Sequence, residues 1–296
     1  MRALVIVNPV AGNGRAARVW QRVRPGVDGL RQSQCIMSER VGHARELAQF
    51  AAQAGYERVV VVGGDGTMCE VASGVAHTPT AVAMIPAGTG NDCCRNLNIP
   101  TDIIAAANLA LAGPVRAVDL GEIQTSSGST HFVNVAGFGF DAEVAWRVNS
   151  MPKFVGGTAP YAWGVLRTLW HSNSPRMRIS LGEHELEQPV FLVAVGIGAC
   201  YGGGMRIVPD AVIDDGLFDV CVVGKLSRLE VLRLFPKIYS GAHRGHPAVQ
   251  FFRCREVRAE SAGRVRCQAD GELAGDLPAS FTIHPGGLQC VTSPRW

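Results

Sequence analysis

Four apolar residues, Val59–Val62, run directly into Gly63-Gly-Asp-Gly-Thr67. A turn that closes a strand and opens a helix leaves the helix's first N–H groups without intrahelical partners, and its glycines let the backbone approach a ligand closely. Two further glycine-bearing stretches follow apolar runs in the same way: Asn8-Pro-Val-Ala-Gly-Asn-Gly14 after Leu4–Val7, and Pro86-Ala-Gly-Thr-Gly-Asn-Asp92 after Ala81–Ile85. With hydroxyl donors from Thr67 and Thr89, the three loops describe a cradle for phosphate. Asp65 sits inside it, where a bare carboxylate and a phosphate repel each other by several kcal/mol at short range and low effective dielectric. A divalent cation between them removes the conflict, and Mg²⁺ is the usual companion of nucleotide phosphates. Asp92 repeats the arrangement, and Asp119, at the end of Val115–Asp119, is a candidate third acid. The plainer alternative, a tight turn with aspartate as a helix cap, explains one loop but not three together.

These loops need a scaffold that brings them to one edge. Leu4–Val7, Val59–Val62 and Ala81–Ile85 are apolar without alternation, as strands buried on both faces of a parallel sheet must be. Between them Ala16, Val19, Trp20 and Val23, and then Ala44, Leu47, Ala48 and Ala51, recur at helical spacing; Gly55 stands at a C-cap position, and Thr101 opens a helix running to about Ala112. Strand–helix alternation of this kind predicts a doubly wound α/β domain that binds ligands beyond the carboxyl ends of its strands. After about Asp119 the texture changes. Short β-like segments (Phe132–Ala136, Arg176–Leu181, Val190–Gly196, Leu217–Val223, Glu256–Ala259, Phe281–His284) alternate with Gly, Pro, Asp and Ser clusters, interrupted by one helical stretch from about Ala142 to Trp170. The expectation is an α/β domain over 1–122 and a mainly antiparallel β-sandwich domain over 123–296, with the final residues as candidates to return to the first.

Composition narrows the function. The 296 residues carry a net charge of +3, too little to argue for a nucleic-acid partner, and no run approaches the length needed to cross a bilayer. The opening Met-Arg-Ala-Leu-Val-Ile-Val reads as a strand and is too short in apolar residues for a signal peptide. Nine scattered cysteines without a C-x-x-C pair suit reduced thiols in a cytoplasmic protein, and adjacent Cys93 and Cys94 read as small apolar helix residues. His43, His77, His131 and His243 have no metal-site spacing and read as surface or capping residues. The commoner phosphate and kinase motifs, G-x-x-x-x-G-K-S/T, the complete dinucleotide glycine fingerprint, H-R-D and D-F-G, are missing.

In the second half, Asp270-Gly-Glu272 and Asp214-Asp-Gly216 are turn-like, and each has a plain hairpin reading beside a functional one. Phe154, Tyr161, Trp163, Leu166 and Trp170 suit either a lipid entrance or a helix covering the sandwich. Arg253, Arg255, Arg258, Arg264 and Arg266 suit either anionic headgroups or a solvated strand face.

Taken with Gly137-Phe-Gly-Phe-Asp141, Tyr201-Gly-Gly-Gly-Met205, Pro209-Asp-Ala-Val-Ile-Asp-Asp-Gly-Leu-Phe-Asp219 and Asp270-Gly-Glu272, the three loops resemble the bacterial diacylglycerol kinase and sphingosine kinase family of lipid kinases, in order and across nearly the whole chain. The resemblance implies ATP and Mg²⁺ in a cleft between two domains. It implies nucleotide contacts at Asn8, Pro9, Val10, Ala11, Gly12, Ser38, Gly64, Asp65, Gly66, Thr67 and Thr89, and a carboxylate network of Asp65, Asp92, Asp119 and Asp270 around the catalytic metal. Glu272 then matches the proton acceptor, with Asp270 and Asp65 as the other catalytic acids, and Val212, Asp215 and Leu217 match a separate structural Mg²⁺ site. Ser38 stands where such kinases usually carry threonine, Ala11 where serine is frequent, and Cys93 where phenylalanine is common. The expected activity is ATP-dependent phosphorylation of a primary hydroxyl on diacylglycerol or a related lipid presented by a membrane surface, by a cytoplasmic, peripherally associating protein for which a homodimer is an option. Alternative acceptors are a sphingoid base, ceramide, phosphatidylglycerol or, as a rival enzyme, NAD; a non-catalytic nucleotide sensor is the rival from another class.

Overall fold

The computed structural model describes residues 2–149, 167–170 and 173–293. The chain divides into two compact units: residues 2–120 with Ile213–Asp215 and 284–293, and the described residues of Gly121–Val212 and Gly216–Ile283.

In the first unit the apolar runs form parallel strands β1 (Ala3–Val7), β2 (Gln34–Met37), β3 (Arg58–Gly63) and β4 (Ala81–Pro86), ordered β2-β1-β3-β4. The last strand of the chain, β15 (Ala279–Val291), adds Cys290 in parallel beside Val82. Side chains alternate across this sheet. Val5, Val7, Val60, Val62, Ala83 and Ile85 pack under α1 (Ala11–Gly26), with Leu30 of α2 (Asp28–Gln32) and Ala107 and Ala110 of α6 (Ile103–Ala112). Leu4, Ile6, Val59 and Val61 point the other way and are equally buried, and α3 (His43–Gln53) and α4 (Asp65–Val75) pack against the strands and each other. Helices on both faces make this unit a doubly wound α/β fold. A five-residue helix, α5 (Asp92–Asn96), follows the loop after β4.

The second unit is built from antiparallel pairs. The part of β5 (Val115–Thr125) from Gly121 onward pairs with β6 (Gly128–Phe132). β7 (Val135–Gly139) lies between β9 (His184–Gly196) and β13 (Arg266–Ala269), which pairs with β14 (Glu272–Asp276). β9 serves two sheets. His184–Pro189 pairs with β8 (Arg176–Leu181), which continues to β12 (Glu256–Ser261) and β15, whereas the half after Val190 pairs with β7 and β10 (Phe218–Gly224), and β10 with β11 (Val249–Cys254). Proline, with no N–H to give a ladder, stands at the changeover. Phe132 on Phe218, Phe138 on Phe281 and Phe140 on Phe191 fill the interior, with ring centroids 5.7, 5.8 and 4.5 Å apart.

Four sequence expectations need correction. The cap of α6 is Asp102, whose Oδ1 accepts the Ile104 and Ala105 N–H groups, and not Thr101. Phe132–Ala136 is not one strand: β6 ends at Phe132 and β7 begins at Val135, because the N–H groups of Val133, Asn134 and Val135 donate to the Asp270 carboxylate. The helical stretch begins as α7 (Phe140–Asn149), and residues 167–170 are helical; Phe154, Tyr161, Trp163 and Leu166 lie outside the described residues, and Trp170 is exposed. A further helix, α8 (Arg228–Ile238), was not expected; a capping box, in which Ser227 Oγ accepts the Glu230 N–H and the Glu230 carboxylate accepts the Ser227 N–H, sets its start.

Candidate active site

The carboxyl ends of four parallel strands deliver the expected nucleotide residues to one edge of the first unit: Asn8–Gly12 after β1, Ser38 after β2, Gly64–Thr67 after β3 and Thr89 after β4. The loops lock together through backbone and short side chains. Asn8 accepts the Val10 N–H on Oδ1 and donates from Nδ2 to Thr67 Oγ1 at 2.9 Å, which leaves the Thr67 hydroxyl hydrogen able to point elsewhere. The Ser38 N–H donates to the Val7 carbonyl and the Ala87 N–H to the Gly63 carbonyl. Gly12, Asn13 and Gly14 are all left-handed, and a Cβ on Gly12 would stand 2.2 Å from the Ala87 carbonyl oxygen. A Cβ on Gly88 would stand 2.5 Å from Gly64 Cα, so the second and third loops touch backbone to backbone. Val10 and Thr89 are exposed and Pro9 and Ala11 are partly exposed.

Asp65 opens α4, half-buried, and its Oδ1 accepts the Cys93 N–H at 2.9 Å. Burial raises its carboxyl above the ordinary range; that hydrogen bond opposes the shift, and the nearby negative charge of Asp92 adds to it. Asp92 is buried, with Arg95 2.9 Å from its Oδ1. Two mutually repelling carboxylates beside a glycine cradle are a donor set that fits a hard, oxygen-seeking cation such as Mg²⁺. Asp119 is also buried; its carboxylate accepts the Gly286 N–H, and its own N–H donates to Ile213. Cys93 and Cys94 are buried beside this loop, and burial pushes the Cys94 thiol up to about 12, which fits their apolar reading.

The remaining predicted residues lie on other segments of the chain. Asp215 groups with the first unit and Val212 and Leu217 with the second; Val212 and Asp215 are exposed. In the second unit Asp270 takes a left-handed conformation and receives three backbone N–H groups, while Glu272, at the start of β14, is exposed. Of the arginines considered for headgroups, Arg253 faces Asp219, Arg258 faces Glu256, Arg264 faces Asp276 and Arg266 faces Glu143.

The second unit also holds a cavity of about 50 Å³ lined almost wholly by apolar side chains, among them Phe140, Phe191, Ile207, Leu234 and Phe235. Two polar groups in its wall escaped the sequence reading. Asp141, hydrogen-bonded by Gln268 Nε2 at 3.1 Å and by the Ala142 N–H, has its carboxyl pushed up to about 6 by burial. His243, expected at the surface or as a cap, is buried; its Nε2 lies 3.0 Å from the Ile207 carbonyl, its Nδ1 has no hydrogen-bond partner among the described residues, and burial lowers its pKa. The motif Gly137-Phe-Gly-Phe-Asp141 marked Asp141 without giving it a role, and nothing local marks His243. His43, partly exposed at the first position of α3, accepts the Glu39 N–H on Nδ1 and caps no helix N–H.

Comparison with known proteins supplies the family. Residues 2–123 match the family model described as the diacylglycerol kinase catalytic domain, and residues 134–292 match the YegS C-terminal NAD kinase beta sandwich-like domain. A diacylglycerol kinase of Mycobacterium tuberculosis is 34% identical over 302 residues, covering 99% of this chain and 96% of that protein. One from Staphylococcus carnosus is 31% identical, covering 95% and 91%. The crystal structure of a diacylglycerol kinase from Bacillus anthracis superposes with a TM-score of 0.75 at 21% identity over 99% of this chain and 97% of that one, which shows the same fold. With both family models matched in order and relatives above 30% identity along nearly the whole length, the chain belongs to the diacylglycerol kinase family of lipid kinases.

Proposed function

We propose that this protein transfers the γ-phosphoryl group of ATP, with Mg²⁺, to the primary hydroxyl of diacylglycerol or a closely related lipid. The observation that carries the reading is the interlocked set of glycine loops at the carboxyl edge of the parallel sheet with Asp65 and Asp92 side by side within it. In this reading the main chain of Asn8–Gly12 and Gly64–Thr67, with the hydroxyls of Ser38, Thr67 and Thr89, holds the nucleotide. Asp65 and Asp92, with Asp119 as the third acid, hold the metal. When bound, Mg²⁺ neutralises charge on the phosphates; the chain's own share of phosphoryl transfer is then positioning.

Between the two acids of the Asp270-Gly-Glu272 turn, Glu272 is the better proton acceptor. Asp270 already receives three N–H groups that pin the β6–β7 break, and protonating it would put an O–H against a donor. Glu272 is exposed. The apolar cavity with Asp141 and His243 in its wall would take a short stretch of hydrocarbon, one part of a glycerolipid acceptor. Val212, Asp215 and Leu217 remain the candidate structural Mg²⁺ ligands, on the family pattern alone.

The test is transfer of label from γ-labelled ATP to a panel of diacylglycerol, sphingoid base, ceramide and phosphatidylglycerol in mixed micelles, with NAD as a further acceptor. Label in phosphorylated diacylglycerol, dependent on Mg²⁺, is the expected result. Preferential labelling of NAD would overturn the reading in favour of the rival kinase.

A further inference from the structure

Helix α8 is apolar on two opposite faces, and only one of them is covered. Val231 and Leu234 are buried and, with Phe235 and Ile238, line the cavity wall. At 100° per residue these four positions define one side of the helix; Leu229 and Pro236 fall on the side opposite, and Leu232 lies between Pro236 and Phe235 at the edge of that side. Leu229 is 66% and Leu232 47% exposed, and Pro236 is exposed with them. Basic residues flank this outward stripe: Arg228 on one side, Arg233 and Lys237 on the other, all exposed and none in an ion pair among the described residues. The helix has one acid, Glu230, which its capping box engages. Trp170, 68% exposed, extends the patch: its ring lies 4.9 Å from the Arg228 guanidinium, which also donates to the Trp170 carbonyl at 2.8 Å. Tyr239, just past the helix end, is 48% exposed.

A folded protein gains nothing in water by showing leucine, tryptophan and tyrosine together, and contiguous apolar patches of this kind mark a covered surface. We propose that the outward face of α8, with Trp170 and Tyr239, docks on an anionic lipid bilayer. The apolar stripe would lie in the interface, the aromatic rings at headgroup level, and Arg228, Arg233 and Lys237 against acidic headgroups. Charge decides the partner: a helix with three basic groups around an apolar stripe, two aromatic rings beside it and its lone acid tied back to its own N-terminus complements an anionic surface. The placement also gives α8 a second role, since the same helix that meets the bilayer forms a wall of the apolar cavity. The inference deepens the lipid-kinase reading and takes its purpose from it, but the binding it describes needs no turnover.

The test is cosedimentation of the intact protein with vesicles of phosphatidylcholine and phosphatidylglycerol that contain no diacylglycerol, without ATP, so that an error in the acceptor or the activity leaves this result untouched. Binding should grow with the phosphatidylglycerol fraction and weaken with salt. The triple variant Arg228→Gln/Arg233→Gln/Lys237→Gln should lose about 100-fold in partition, roughly fivefold per charge, and Leu229→Ser/Leu232→Ser should lose binding without loss of melting temperature. Both variants should keep wild-type turnover on a short-chain acceptor in detergent solution. Vesicle binding equal to wild type in both variants would overturn the proposal. So would conversion of a dimer to a monomer by Leu229→Ser/Leu232→Ser with vesicle binding retained, which would assign the face to a second copy of the chain.

Discussion

At the residue scale, the informative contrasts are between carboxylates that look alike in sequence. Asp270 and Glu272 share a turn, yet one holds three backbone amides and the other is exposed. Asp270→Asn leaves one carbonyl oxygen and adds an NH₂ group against a donor, so thermal or denaturant unfolding should show a loss of about 1–3 kcal/mol. Glu272→Gln should leave stability within about 0.5 kcal/mol while lowering kcat; equal stability loss in both variants would remove the distinction. Asp141 gives a pH signature. Its folded carboxyl titrates near 6, above the unfolded value, so between about pH 4 and 6 the native state holds a proton that the unfolded chain has released. Stability contributed by this group is therefore complete at low pH and falls as pH rises through 6, by roughly 1.4 kcal/mol per unit within that window. Asp141→Asn should flatten this part of the stability–pH curve, as chemical denaturation at stepped pH would read. Asp65 was legible because a glycine turn after a buried strand is a local pattern with a local chemical consequence. Asp141 and His243 were not, because their burial comes from residues distant in sequence, such as Gln268 and Ile207.

At the element scale, the strands of the first unit were legible as continuous apolar runs, since a strand buried on both faces needs no alternation. The break between Phe132 and Val135 was illegible for the opposite reason: the acid that interrupts the ladder is Asp270, more than a hundred residues away. Helix α8 carried a readable start signal in Ser227-Arg-Leu-Glu230, and was hidden by its own composition, because apolar residues on two faces blur the single-stripe pattern of an ordinary amphipathic helix. Ser227→Ala removes the side-chain oxygen that accepts the Glu230 N–H and should cost about 1 kcal/mol, measured by unfolding. An unchanged midpoint would mean that packing of Val231 and Leu234 alone fixes the helix start.

At the scale of the whole molecule, the change from parallel, helix-covered strands to antiparallel pairs was visible as a change of sequence texture after Asp119. That Ile213–Asp215 groups with the first unit carries no local signal, because such a return is made by tertiary packing alone. No helix among the described residues is long and apolar enough to cross a membrane. In the proposed function the glycine loops and Asp65 form a metal–phosphate site for lipid phosphorylation. Its most direct test compares wild type and Asp65→Asn for Mg²⁺-dependent transfer of γ-phosphate to diacylglycerol in mixed micelles, alongside their melting temperatures. The asparagine keeps an oxygen for the Cys93 N–H but brings no charge to a cation, so the fold should be unchanged and kcat lower by about 10³-fold. Near-wild-type turnover by a folded Asp65→Asn protein at saturating Mg²⁺ would contradict it.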